Sequence, residues 1–101
     1  MKNIDVKKLQ GTPFQKTVWG ALLKIPKGKT VTYKELAKSI GKPSAIRAVA
    51  NAVGKNPMAP FIPCHRVVRS DGTLGGYSAK GGIKAKRALL VKEGVRVQYN
   101  K

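Results

Sequence analysis

The chain has 101 residues, the size of a single domain, and its 42% apolar content rules out wholesale disorder. Lysine and arginine number 21 against four acids, a formal charge of +17. Self-repulsion of that size is offset by a polyanionic partner, which points to nucleic acid, with a merely solubilising lysine surface as the alternative. One cysteine and one histidine exclude an internal disulfide and fall short of a structural zinc set. No apolar run approaches the ~18–20 residues of a membrane span, and Met1–Asp5 carries no apolar signal region. The expectation is a cytoplasmic protein with no membrane segment, no metal and no cofactor.

In chain order, a lead over residues 1–11 precedes a single domain over 12–101. Thr12-Pro13-Phe14-Gln15 predicts a capped helix start, with proline at the first helical position and Gln15 reaching back. Phe14, Val18, Ala21, Leu22 and Ile25 then form one apolar face, ended by Pro26 and the Lys27-Gly28-Lys29 turn. A second capping box, Thr32-Tyr33-Lys34-Glu35, opens a short helix through Ser39 that Gly41 stops. Pro43 or Ser44 starts another, Ala45 to Val53, ended by Gly54, so the pair reads as helix-turn-helix. Small residues surround Arg47 there (Ala45, Ala48, Ala50, Asn51, Ala52), which suits either tight helix packing or close approach to another surface.

Three prolines make Lys55–Pro63 a stiff, non-helical connector. Arg66–Arg69 is expected as a strand, Ser70-Asp71-Gly72-Thr73 as a turn, and Leu74–Tyr77 as an antiparallel return. That basic hairpin would be a wing. Gly81-Gly82 precedes a last helix, Ile83–Lys92, closed by Glu93-Gly94, and Val95–Gln98 is either a short strand or extended. The fold class expected is mainly α with a small β-hairpin, a winged helix-turn-helix.

The only cysteine and the only histidine are neighbours, in Ile62-Pro63-Cys64-His65-Arg66-Val67. A thiol reacts as its thiolate, from an ordinary pKa of about 8.5, so a nearby imidazole and arginine are what activation requires. Adjacent side chains in an extended segment point apart, and a Cys64–His65 contact needs a bend, which Pro63 permits, or a bridging water. The alternative is a buried structural cysteine beside a surface histidine. Of the four acids, Asp5, Glu35 and Asp71 have local explanations. Glu93 sits at a helix C-terminus, where the dipole disfavours an anion by about 0.3–1 kcal/mol. Either Arg96 or a lysine pairs with it, or it faces His65 and fixes its tautomer.

Pro63-Cys64-His65-Arg66-Val67 resembles the active-site motif of the O6-alkylguanine-DNA alkyltransferases, the methylated-DNA–protein-cysteine methyltransferases. The likeness runs from Thr12 to about Val97, through Phe14-Gln15 to Trp19, Thr32-Tyr33, the Arg47 helix, Asn56-Pro57, Tyr77, Leu89-Leu90 and Glu93-Gly94. It implies the family's C-terminal active-site and DNA-binding domain. Its partner would be double-stranded DNA containing O6-alkylguanine, bound through the minor groove with the damaged base flipped out.

By this resemblance Cys64 would be the nucleophile, His65 a base acting through water, Glu93 its orienting group, and Asn56 the holder of the reactive turn. Tyr33 would help rotate the nucleotide and donate toward N3 of the guanine, and Arg47 would fill the gap in the base stack. Thr32, Ser44, Ala48, Arg66 and Ser70 would join them at the DNA. Val53, Val67, Tyr77 and Ser78 would line the alkyl and base pocket, with Ser78 donating near O6. The product is a thioether nothing in the chain can cleave, so each molecule, expected to be a monomer, would act once.

The chain departs from the family pattern in three places. Many relatives carry a separate N-terminal domain, whereas about eleven residues precede the first shared helix here. Ile46 is bulkier than the small residue common beside the stack-filling arginine, and the Tyr77–Gly82 loop is two residues longer than the shortest versions. Two competing functions remain: a sensor that binds alkylated DNA and transfers nothing, in which the motif cysteine is usually replaced by tryptophan, and a small winged-helix DNA-binding protein with an incidental Cys64-His65.

Overall fold

The computed structural model describes residues 4–71, 73–77 and 81–96. It has four helices, α1 (Pro13–Leu22), α2 (Tyr33–Ser39), α3 (Ile46–Gly54) and α4 (Gly82–Lys92), and two short strands, β1 (Val31–Thr32) and β2 (Val67–Val68). Among the described residues no helix is long and apolar enough to cross a membrane.

The helix starts follow the sequence signals. Thr12 Oγ1 accepts from the Gln15 amide at 3.0 Å and Gln15 Oε1 accepts from the Thr12 amide at 2.9 Å. Thr32 and Glu35 repeat the exchange at 3.0 and 2.8 Å. Each box satisfies two donors that a helix start leaves orphaned. At the other end of α2, Gly41 takes φ +77° and the amides of Gly41 and Lys42 reach the Lys38 and Ala37 carbonyls, closing the helix as a Schellman motif. Gly94 (φ +88°) closes α4 the same way, with Gly94 and Val95 amides on Val91 and Leu90, which leaves Glu93 as the cap residue.

Two boundaries differ from expectation. Helix α1 ends at Leu22, and tighter bonds from Lys24 to Ala21 and Ile25 to Leu22 carry the chain on to a still-buried Ile25. The residue before a proline is pushed out of helical geometry, so the last turn unwinds ahead of Pro26. Helix α3 begins at Ile46 behind Ala45 and no side chain caps it, so Ser44 does not play that part.

Val18, Trp19 and Leu22 of α1 pack against Leu36 and Ala37 of α2 and Val49, Ala52 and Val53 of α3, and the Trp19 indole donates to the Ala52 carbonyl at 2.9 Å. The small residues of α3 divide between the two roles the sequence left open. Ala52 is buried against α1, while Ala48 and Asn51 face outward. The lead also contributes: Asp5 caps a 3-10 turn at Val6–Lys8, and Ile4, Val6 and Leu9 pack on the core.

The mainly helical class with a small sheet stands, but among the described residues the two strands are not those of the expected hairpin. Strand β2 pairs in parallel with β1, Val31 opposite Val67 and Thr32 opposite Val68, with α2 and α3 as the crossover. One backbone bond, Arg69 amide to Thr73 carbonyl at 3.0 Å, closes the turn, helped by Asp71 accepting from Thr73. Beyond it no ladder follows among the described residues. A side chain from α4 joins the two segments instead: the Lys86 ammonium takes the carbonyls of Val67, Leu74 and Gly76, which lie on both of the expected strands.

Candidate active site

The proline-rich connector delivers the cysteine. Pro63 (φ −80°, ψ 67°) forms an inverse γ-turn in which the Cys64 amide reaches the Ile62 carbonyl at 2.8 Å. A 3-10 turn over Cys64–Arg66 follows, so the segment expected to be extended is bent at its reactive residue. Asn56 ties the two ends of the connector: its side-chain nitrogen donates to the Ile62 carbonyl at 2.7 Å, and its oxygen accepts from the Met58 amide at 2.9 Å.

Cys64 is 6% exposed. Burial pushes its thiol up from the ordinary value, and the Asn56 side chain, the charge of Lys86 and a backbone bond pull against it. The sulfur lies on a cavity of about 740 Å³, of ordinary size for a small-ligand site. Tyr33 from α2, Arg47, Asn51 and Val53 from α3, and Arg69, Gly76 and Tyr77 beyond β2 complete its walls. Burial, and then the proximity of Cys64, raise the pKa of both tyrosines, so their hydroxyls stay protonated donors. Gly75 (φ +77°) lies against this wall; a Cβ there would stand 3.3 Å from Arg69 Cγ and 3.4 Å from the Tyr33 ring.

Behind the cysteine, His65 is buried and its Nε2 lies 2.9 Å from Glu93 Oε2. Arg66 clamps the same carboxylate from two nitrogens, Nε at 2.9 Å and Nη2 at 2.7 Å, and its Nη1 donates to the Ile25 carbonyl at 2.7 Å. These bonds, Arg66 first and His65 after it, hold the Glu93 carboxyl down at about 2. A carboxylate that stays ionised only accepts, so Nε2 carries the hydrogen and His65 Nδ1 presents a lone pair. That Nδ1 is buried and has no hydrogen-bond partner among the described residues. The Arg66 guanidinium also explains how an anion persists at the end of α4.

The structure thus brings Tyr33, Arg47, Val53, Cys64 and Tyr77 around one cavity, with Asn56 holding the Ile62 carbonyl ahead of the Cys64 turn and His65, the next residue after Cys64, paired with Glu93. Thr32 is spent on capping α2, and Ser44, Ala48 and Ser70 are exposed outside the cavity. Two expectations are corrected. Arg66 is turned inward onto Glu93 and Ile25 rather than out toward DNA, because the buried carboxylate requires a partner. Val67 is fully buried in the β1–β2 pair and is not among the described residues that line this cavity. Ser78 lies outside the described residues. Sequence reasoning missed Asn51 and Arg69 as wall residues and passed over Lys86 entirely. The available signal for Lys86 was its place four residues before Leu90, on the buried stripe of α4.

Residues 13–95 match the family model described as 6-O-methylguanine DNA methyltransferase, DNA binding domain. A methylated-DNA–protein-cysteine methyltransferase of Methanosarcina barkeri is 57% identical over 83% of the chain and 52% of its own length. The regulatory protein Ada of Salmonella typhimurium is 56% identical over 84% of the chain and 24% of its own length. The chain therefore spans about half the length of such methyltransferases, and about a quarter of Ada. Among solved structures, Mycobacterium tuberculosis OGT in complex with DNA superposes with a TM-score of 0.81 at 55% identity, over 85% of this chain and 52% of that one. S. pombe Atl1, in complex with damaged DNA containing O6-carboxymethylguanine, gives 0.78 at 32% identity, over 91% of this chain and 85% of that one. With the matched segment spanning all four helices and the Cys64 turn, the chain belongs to the 6-O-methylguanine-DNA methyltransferase family through its DNA-binding domain.

Proposed function

We propose that this chain repairs DNA by taking the alkyl group from an O6-alkylated guanine onto Cys64, once per molecule. The observation that carries the proposal is Cys64 on the cavity wall, followed directly by a buried His65 whose ring is held by Glu93.

The reaction is a displacement. His65 Nδ1, with a solvent molecule between, receives the thiol proton, and Glu93 steadies the imidazolium that results. The thiolate attacks the alkyl carbon, a carbon–sulfur bond forms, and the carbon–O6 bond breaks with its electron pair leaving on guanine. The Tyr33 hydroxyl donates toward N3 of that guanine, Ser78 toward O6, and the proton held at His65 restores neutral guanine. Nothing remains to cleave the thioether.

O6 is out of reach inside a duplex, so the base must be extruded, at a cost of a few kcal/mol. The outward face of α3 supplies the means. Ala48 and Asn51 are small enough for a minor groove about 6 Å wide, and Arg47, at the cavity mouth, fills the gap in the stack. The +17 charge gives affinity for phosphates without regard to sequence, as lesion repair requires. The site of action is cytoplasmic DNA. A lesion sensor that transfers nothing is the second reading, favoured by the fit to nearly the whole Atl1 chain and opposed by the presence of Cys64.

Intact protein mass after mixing with a duplex carrying O6-methylguanine separates the readings. Transfer gives the mass of one added methylene in the wild type and none in Cys64→Ser. Selective binding to the damaged duplex with no mass gain makes the protein a sensor.

A further inference from the structure

We propose that Lys86 is a positioning residue of the Cys64 site: its ammonium fixes the cavity wall and supplies the positive charge that favours the ionised sulfur. The inference rests on Cys64 being the reactive group, as proposed above.

Lys86 is fully buried, a rare place for a lysine without an acidic partner. Its three hydrogens go to three carbonyls, those of Val67 (2.7 Å), Leu74 and Gly76 (3.2 Å). One side chain from α4 thereby joins β2, directly after the Cys64 turn, to the segment that carries Gly76 and Tyr77 into the cavity. Joining carbonyls needs donors but not a charge, and a buried charge costs several kcal/mol unless something compensates it. No carboxylate does so among the described residues. Glu93 is taken by Arg66 and His65, and Asp71 lies on the exposed turn with Thr73.

The anion that matches is the Cys64 thiolate. Sulfur and ammonium act on each other electrostatically, each favouring the charged form of its partner. The other groups facing the pair are few. Arg69, after β2, repels the ammonium, and the Tyr33 ring lies 6.0 Å from Nζ. Tyr77 shares the cavity with the sulfur and keeps a neutral hydroxyl. Burial, with Arg69 adding to it, draws the Lys86 ammonium down to about 8, which still leaves it mostly charged at neutral pH. Lys86 is then the group that offsets the burial of Cys64 by its charge.

Two substitutions separate a charge from a staple. Lys86→Gln keeps donors without charge, and Lys86→Arg keeps both. Because the chain has a single cysteine, the pH dependence of its alkylation by iodoacetamide reports Cys64 ionisation without any DNA. In folded Lys86→Gln the reaction at neutral pH, where the wild-type ammonium is still mostly charged, should slow about tenfold, and Lys86→Arg should restore most of it. A wild-type rate at neutral pH in folded Lys86→Gln overturns the proposal. Should that variant fail to fold, the coupling is measured from the other side, since it must be reciprocal. Cys64→Ser should lower the pH at which the Lys86 ammonium deprotonates, followed by nitrogen NMR, and an unchanged value overturns the proposal. Neither titration requires alkyl transfer, whereas a wild type that gains no mass from alkylated duplex defeats the transfer proposal alone.

Discussion

The reactive turn and the outward face of α3 are built on opposite principles. Around Cys64 most side chains are committed to fixed partners: Asn56 to two backbone groups, Arg66 to Glu93 and Ile25, Lys86 to three carbonyls, and His65 Nε2 to Glu93. The α3 face carries an exposed Arg47 among small residues. A buried polar network holds one arrangement because leaving any member unpaired is costly, which suits a sulfur that must meet one carbon. An exposed, cationic and small-residue surface tolerates any sequence that slides beneath it, which suits a search over a duplex.

Substitutions should therefore divide sharply between the two regions. The largest effect is expected for Glu93→Gln. It leaves the Arg66 guanidinium without its anion and makes Arg66 and His65 compete for one amide oxygen, and at 11–15% exposure the stability loss should be about 2–4 kcal/mol by denaturant titration. Transfer should slow about a hundredfold while duplex affinity holds, and an unchanged transfer rate would make Glu93 structural only. The same residue sets an acid limit. Its folded pKa lies near 2 against an ordinary 4.5, so its stabilisation is complete above about 4.5 and is lost as the pH falls toward 2. Unfolding free energies of wild type and Glu93→Gln should converge over that window.

Arg47→Ala is the corresponding break on the other side. It should slow transfer from duplex about tenfold, leave transfer from free O6-benzylguanine intact, and leave stability within about 0.5 kcal/mol. Equal losses on both substrates would remove Arg47 from the stack. A smaller and sharper contrast lies within α3 itself. Ala52→Leu, against Trp19, should cost about 1–3 kcal/mol of stability, whereas outward Ala48→Leu should cost almost none and weaken duplex binding severalfold. Reversed effects would mean that the two faces have been assigned the wrong way round.

What was legible in the sequence follows the same division. Local signals were plain: Thr12 with Gln15, Thr32 with Glu35, Gly41 and Gly94 mark helix ends through bonds within a few residues of themselves. Cys64, His65 and Glu93 stood out because the chain has so few of each type. Long-range commitments were not legible. Arg66 read as an arginine for the thiol or for DNA and Lys86 as one more cation among 21, and only the fold shows that one is spent on Glu93 and the other on carbonyls 67, 74 and 76. The parallel β1–β2 pair was hidden for a related reason. A two-residue strand carries no alternation to read, and its partner lies beyond two intervening helices.

Transfer stoichiometry tests the central claim most directly. Wild-type protein is mixed with an excess of duplex labelled in the O6-methyl carbon, and label per protein is followed to its plateau and located by peptide mapping. The expected result is one label per molecule, all of it on Cys64, with unmodified guanine left in the duplex. Folded protein that stays unlabelled, or label that settles on any other residue, would contradict it.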